Sequence, residues 1–354
     1  MSRRTTRALK AALGALHYSG AQQVLAPFTR GEGAILMLHQ VAPGQAAAFE
    51  PNRILKVTPE FLEAVVRHII GAGYEVLRLD ELAERLANPK GRRPFVVFTL
   101  DDGYRDNAQH AYPVFKRYGV PFAVYVPTDY AGGQGELWWL ALERAIARLD
   151  LFDLEMDGRV RRFGAATVAA KEQAFHEIYW WLRDQDETRA RAVVRGMCAT
   201  AGIDQGGLCR DLIMGWDELR ALAADPLVTI GAHTRAHFAL AKLPEAQARA
   251  EMVEGARELE RQLGRKVAHF SYPFGDPGSA GEREFALAAE LGFATAVTTR
   301  KGMVMAGGQS RLTALPRLSL NGDYQDLRLV RTLLSGAPFA LSGMAERMAR
   351  RAEG

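Results

Sequence analysis

The run from Phe95 to Leu100 leads without a break into Asp101, Asp102 and Gly103. Its residues are apolar or β-branched, with none of the alternation that marks a strand with one wet face. Such a run belongs to a parallel sheet buried on both sides, and so to an α/β fold with helices as cover. Gly103 permits a sharp turn where a Cβ would be costly. The two carboxylates therefore stand at the C-terminal end of a core strand, where α/β folds build their sites. Adjacent carboxylates are unfavourable unless a cation lies between them or each has its own task. A metal is the first expectation.

Its other ligands appear far downstream. Val228 to Ala232 is a second short buried-type run, followed by His233-Thr234-Arg235-Ala236-His237. The i,i+4 spacing predicts both imidazoles on one face of a helical turn, within reach of one ion. Taken singly, the aspartates could cap a helix and the histidines could be surface residues. Together, each at the end of a β-rich run, they favour a metal site. The second motif lacks the glutamate of an HExxH zinc-protease helix, so peptide hydrolysis of that kind is not expected.

The rest of the chain alternates strand and helix. Ala34 to Leu38 is a short strand ending at His39. Thr58-Pro59 is a helix start, with an N-cap followed by proline at the first helical position. Strands are expected at 74–77, 121–126, 267–271, 294–298 and 315–319, a rhythm that fits a barrel or an open parallel sheet. It breaks after Gly135, and residues 136–212 are expected to be a helical insertion. There Trp138 and Trp139 either stack on sugar rings or serve as buried anchors. The chain of 354 residues is 48% hydrophobic and 24% charged, ample for a soluble globular core. Cys198 and Cys209 have no CxxC spacing and are not expected to bind zinc. The start is interrupted by polar residues and too short for a secretory segment. The cytoplasm is therefore the expected compartment. Both termini are basic. They are read as solvated tails, with a membrane surface or an anionic glycan as the other reading. No basic-aromatic pattern points to nucleic acid.

Thr99-Leu100-Asp101-Asp102-Gly103, His233-Thr234-Arg235-Ala236-His237 and Phe270-Ser271-Tyr272-Pro273-Phe274-Gly275 resemble, in order, the first three motifs of the polysaccharide deacetylase (NodB-type) family. The likeness spans roughly residues 34–320, with an interruption near 140–212. It implies a distorted (β/α) barrel of about seven parallel strands. Outside it, the sequence itself predicts a basic helical segment at 1–33 and a helical tail at 321–354. The likeness also implies a divalent cation, Zn²⁺ foremost, on Asp102, His233 and His237, with Asp101 as general base. A main-chain N–H near Phe274 would help hold the oxyanion. Tyr272, Pro273, Phe274, Tyr104 and Trp138 would line the site for an N-acetylated glycan. The usual Leu-x-His motif after the third motif is missing, since no histidine follows His269. His39, closing Met37-Leu38-His39, resembles the acid of family members that carry this motif at the N-terminus. Ser271-Tyr272 stand where many members have an arginine that pairs with the catalytic aspartate. Arg317 on the last strand either supplies that charge or is an ordinary surface arginine.

The leading expectation is metal-dependent hydrolysis of an acetamido group on a sugar. A two-histidine, one-carboxylate oxygenase is an alternative, but it would leave Asp101 without a task. A glycan-binding protein that has lost catalysis is another, against which the full set Asp101, Asp102, His233, His237 and His39 argues.

Overall fold

The computed structural model describes residues 3–89, 93–306 and 310–352. Seven strands form its centre: β1 (Gly33–Leu38), β2 (Phe95–Leu100), β3 (Phe122–Val126), β4 (Val228–Ala232), β5 (His269–Ser271), β6 (Thr295–Lys301) and β7 (Leu315–Ser319). Each pairs in parallel with the next in chain order, and β1 closes the ring by pairing with both β2 and β7. The expected barrel is the observed one. Its distortion lies around β5, which has only three residues and meets β4 at a single register pair, Phe270 with Ala232. The register also slips between β6 and β7.

Side-chain alternation sorts the strand residues into two layers. Ile35, Val97, Ala123, Tyr125, Val297 and Leu315 fill the barrel. Leu36, Phe98, Val124, Ile230 and Phe270 pack outward against the helices. Both faces are dry, which is why the strands carry so little polar alternation. Each buried large apolar side chain contributes about 1.5–3 kcal/mol. Helix Pro59–Gly71 shows the local logic of the cover. Thr58 Oγ1 accepts the Phe61 N–H at 3.1 Å, Pro59 opens the first turn, and Leu62, Val65, Val66 and Ile69 face the barrel.

The stretch 136–212 differs from the expected all-helical insertion. Helix Trp138–Arg148 is followed by an antiparallel hairpin, Leu151–Met156 with Arg159–Gly164, before helices Val168–Asp184, Glu187–Ala201 and Gln205–Leu212. The hairpin turns at Asp157-Gly158, both with positive φ (52° and 74°), a dipeptide that suits such a turn. These elements share a core of their own. It includes Trp138, Trp139, Ile146, Phe152, Phe163 and Ile178, and it reaches the barrel through Tyr104 and Tyr130.

The N-terminal segment forms two helices, Arg3–Tyr18 and Ala21–Thr29. The chain ends in helices Leu327–Leu334 and Ala337–Ala352.

Candidate active site

Three loops and one strand converge at the C-terminal end of the barrel. The β2 strand delivers Asp101 and Asp102, β4 delivers His233 and His237, and β7 carries Arg317. His39 follows directly on β1. The β1–β2 register pairs Leu38 with Leu100, and the Asp101 N–H donates to Leu38 O at 2.9 Å. His39 thus stands level with Asp101, between the first motif and the last strand.

Asp102, His233 and His237 are all buried, and one ligand atom from each lies within 4.8 Å of the others. Asp102 Oδ1 is 3.5 Å from His233 Nε2 and 3.2 Å from His237 Nε2. The imidazoles meet edge to face, 4.8 Å apart. They do not sit on a helical turn, as their spacing suggested. Residues 233–237 form an irregular loop in which Thr234 and His237 have φ of 64° and 58°. Asp102 (73°) and Phe274 (60°) are also left-handed. Non-glycine residues avoid this region unless the surroundings impose it, and such residues gather at functional sites.

The imposing groups are identifiable. Thr234 Oγ1 accepts the His237 N–H at 2.9 Å. Buried Glu251 accepts the Arg235 and Ala236 N–H groups at 3.2 and 2.8 Å. From the insertion, Arg191 donates to Ala236 O and His237 O at 3.0 and 3.2 Å, and Glu187 accepts the Ala239 N–H at 3.0 Å. Gly255 lets helix Glu245–Leu263 press against this loop, since a Cβ there would lie 2.5 Å from the Thr234 carbonyl carbon.

The donor set fits a cation. Asp102 Oδ1 is buried with no hydrogen-bond partner among the described residues. Burial opposes ionisation of Asp102, but the two imidazoles hold its carboxyl well below the usual range. Burial pushes His237 down to about 4, against the pull of Asp102, so its ring is neutral at ordinary pH, as a ligand requires. His233 Nδ1 lies 2.6 Å from Ser271 O. A carbonyl can only accept, so Nδ1 carries a proton, which fixes the ring and leaves Nε2 as the atom facing Asp102. One carboxylate oxygen and two imidazole nitrogens, with no thiolate, suit Zn²⁺ and leave positions open for water.

Asp101 has a different partner. Arg317 grips it with two parallel bonds, NH1 to Oδ1 at 2.8 Å and NH2 to Oδ2 at 2.6 Å. The same guanidinium donates to Thr298 O at 2.8 Å, Ser271 Oγ at 3.1 Å and Thr99 Oγ1 at 3.2 Å. Arg317 is buried, so it is not a surface arginine. Burial, the largest single influence, favours a neutral Asp101 carboxyl, but Arg317 together with His233 and His39 brings it below the usual carboxylate range. Sequence reasoning missed Ser271, Thr99 and Thr298 as supports, although Ser271 occupies the motif position that lacks its arginine.

His39 is half-buried and near enough to Asp101 and Asp102 to lower both carboxyls. Its backbone is anchored by Asn107, whose Nδ2 donates to His39 O at 2.7 Å. The Val41 N–H donates to Asp106 Oδ1 at 3.1 Å. Neither Asp106 nor Asn107 was singled out from the sequence.

Two expected lining residues are corrected. Tyr272 is fully buried, with its hydroxyl donating to Thr313 O at 2.7 Å and its ring against Phe270 and Phe285. Strand parity explains this: Ser271 points into the barrel toward Arg317, so Tyr272 points out to the helices. Trp138 is 3% exposed and stacks on Tyr179, so the buried-anchor reading holds. Tyr104 is also buried, but its hydroxyl lies close enough to Asp102 to feel its charge and has no hydrogen-bond partner among the described residues. Pro273 is buried. Phe274 is half-buried, 4.9 Å from the His237 ring, beneath the Arg183 guanidinium at 3.8 Å. Its carbonyl accepts from Thr299 Oγ1, and its N–H makes no hydrogen bond among the described residues.

A sequence model described as Polysaccharide deacetylase matches residues 88–296. That stretch contains Asp101, Asp102, His233, His237 and the third motif; His39 and Arg317 lie outside it. YxkH of Bacillus subtilis (strain 168), a putative polysaccharide deacetylase, is 33% identical over 93 residues, 26% of this chain and 30% of that protein. The chain thus matches less than a third of that relative's length. Among solved structures, the Streptococcus pyogenes deacetylase PplD, in complex with acetate, aligns over 85% of this chain and 97% of its own (16% identity, TM-score 0.56). IcaB from Ammonifex degensii aligns over 86% and 98% (18% identity, TM-score 0.53). These two show the shared fold. Since the matched stretch covers more than half of its length, the chain belongs to the polysaccharide deacetylase family.

Proposed function

We propose that the protein is a metal-dependent deacetylase that hydrolyses the acetamido groups of an N-acetylated oligo- or polysaccharide. The observation that carries this is the separation of its adjacent carboxylates. Asp102 faces two imidazoles, and Asp101 is clamped by Arg317 a residue away. A divalent cation held by Asp102, His233 and His237 would polarise the acetyl carbonyl and acidify water at the open positions.

The chain's own residues divide the remaining work. Asp101, kept ionised and fixed in orientation by Arg317, takes a proton from the attacking water. The Phe274 N–H is free to donate to the carbonyl oxygen as negative charge develops there. His39, across the site from the imidazole pair, gives a proton to the departing amine nitrogen, without which C–N cleavage stalls. The products are acetate and a free amino sugar.

Purified protein stripped by chelator and reloaded with Zn²⁺ should release acetate from a panel of N-acetylated oligosaccharides, with matching mass loss in the glycan. Equal release by stripped and reloaded protein, or release only from O-acetylated sugars, would overturn this reading.

A further inference from the structure

The terminal helices leave apolar side chains in water. On helix Ala21–Thr29, Val24 and Phe28 stand one turn apart on the same face, 72% and 81% exposed. On helix Ala337–Ala352, Leu341, Met344 and Met348 form a second exposed stripe at i, i+3 and i+7. The two helices meet end to end. Thr29 Oγ1 donates to Ser335 O at 2.6 Å, and Gly336 lies so close that a Cβ would be 1.9 Å from Thr29 O. Tyr18, at the end of the first helix, is 73% exposed.

Charge says what would cover them. Arg3, Arg4, Arg7, Lys10 and Arg30 are the only Asp, Glu, Lys or Arg residues in the first 31 positions. These five positive charges exceed the +4 of the whole chain, so the remainder is net −1. Arg7 and Lys10 are exposed. Asp326, at the start of the neighbouring helix, is already paired with Arg328. No helix among the described residues is long and apolar enough to cross a membrane. Exposed Phe, Val and Met on the terminal helices, with Arg7 and Lys10 in no ion pair among the described residues, are instead the composition of a surface that sits in a lipid interface.

We infer that the terminal helices dock the protein on an anionic lipid membrane, with Val24 and Phe28 inserted among the headgroups and the basic first helix against their charge. Helix Ala21–Thr29 leads into the N-terminal end of β1, whereas the candidate catalytic residues stand at the other end. Six residues of strand separate the two by about 20 Å, so docking leaves the site open to water. The inference does not depend on the reading of that site.

The test is co-sedimentation of the full-length protein with vesicles of phosphatidylcholine alone or mixed with phosphatidylglycerol. Binding should require the anionic lipid and weaken as salt is raised. Val24→Ser/Phe28→Ser should lower the partition coefficient about ten-fold or more. Arg7→Gln and Lys10→Gln should each lower it about five-fold. Circular dichroism should match the parent in every variant, and turnover of a soluble oligosaccharide should be unchanged. Binding that ignores the anionic lipid, or serine variants that bind as well as the parent, would overturn the inference. So would a concentration-dependent dimer, seen by light scattering, that the serine variants abolish, because the occupant would then be a second copy of the chain.

Discussion

Arg317 and Asp101 are 216 residues apart in sequence, yet their side chains form a fully buried, two-bond ion pair inside the top of the barrel. Barrel closure makes this possible, because β1 pairs with both β2 and β7 and brings the first motif and the last strand to either side of it. Arg317 thus reaches the third motif from another strand, with Ser271 as one of its acceptors.

Removing one partner of such a pair leaves an uncompensated buried charge. Arg317→Met should destabilise the fold by about 3–5 kcal/mol in denaturant titration. It should also move the acidic limb of kcat/KM to higher pH, because the charge that lowers Asp101 is gone. Arg317→Lys keeps the charge but not the fork and should recover only part of each effect. The double variant Asp101→Asn/Arg317→Met should be more stable than Arg317→Met alone. If the single and double variants unfold together, the pair has no energetic coupling.

The two imidazoles should be unequal in what they contribute to the metal-free fold. His237→Ala should lose most of its metal in dialysis followed by metal analysis. His233→Ala should lose its metal too, and it also removes the bond to Ser271 O beside Arg317. Its loss should therefore lower thermal stability of the metal-free protein more than His237→Ala does, as His237 Nδ1 has no partner among the described residues to forfeit. Equal melting temperatures for the two metal-free variants would refute this.

Asp106 gives a pH signature separate from the metal residues. Burial pushes its carboxyl up to about 6, against the lowering influence of the Val41 N–H. The folded state therefore holds this proton more tightly than the unfolded chain, whose value is near 3.8. The resulting stability is complete below about pH 4 and is lost as pH rises through about 6. Asp106→Asn should remove this fall, so that its stability relative to the parent improves between pH 4 and 7. Parallel stability curves over that interval would show that Asp106 does not titrate there.

The strands were legible because both faces of each are buried, so apolar content alone marks them. The cluster of Asp102, His233 and His237 was legible because its residue types are costly to bury without an ion. The loop geometry was not legible. Thr234 and His237 are left-handed only because Glu251, Arg191 and Gly255 arrive from distant elements to hold them. The hairpin at 151–164 was overlooked although Asp157-Gly158 between alternating residues signals it; the flanking helical segments hid it. Tyr272 could have been placed by strand parity, since Ser271 and Tyr272 must face opposite ways.

His39 is the remaining test of the proposed chemistry. It is anchored through its backbone to Asn107 and stands level with Asp101, half-buried where the aspartates and the imidazole pair are buried. It is not among the residues that could share the ion. This suits an acid, which must face the leaving nitrogen and not the cation. His39→Ala should keep its metal and slow amide hydrolysis by about 10²–10⁴-fold. An activated aryl acetate, whose leaving group needs no proton, should be affected far less. Asn107→Ala should act in the same direction through a misplaced imidazole, lowering kcat more than it raises KM while leaving metal content intact. Equal losses on amide and aryl ester would assign His39 a structural role and send the search for the acid to another residue.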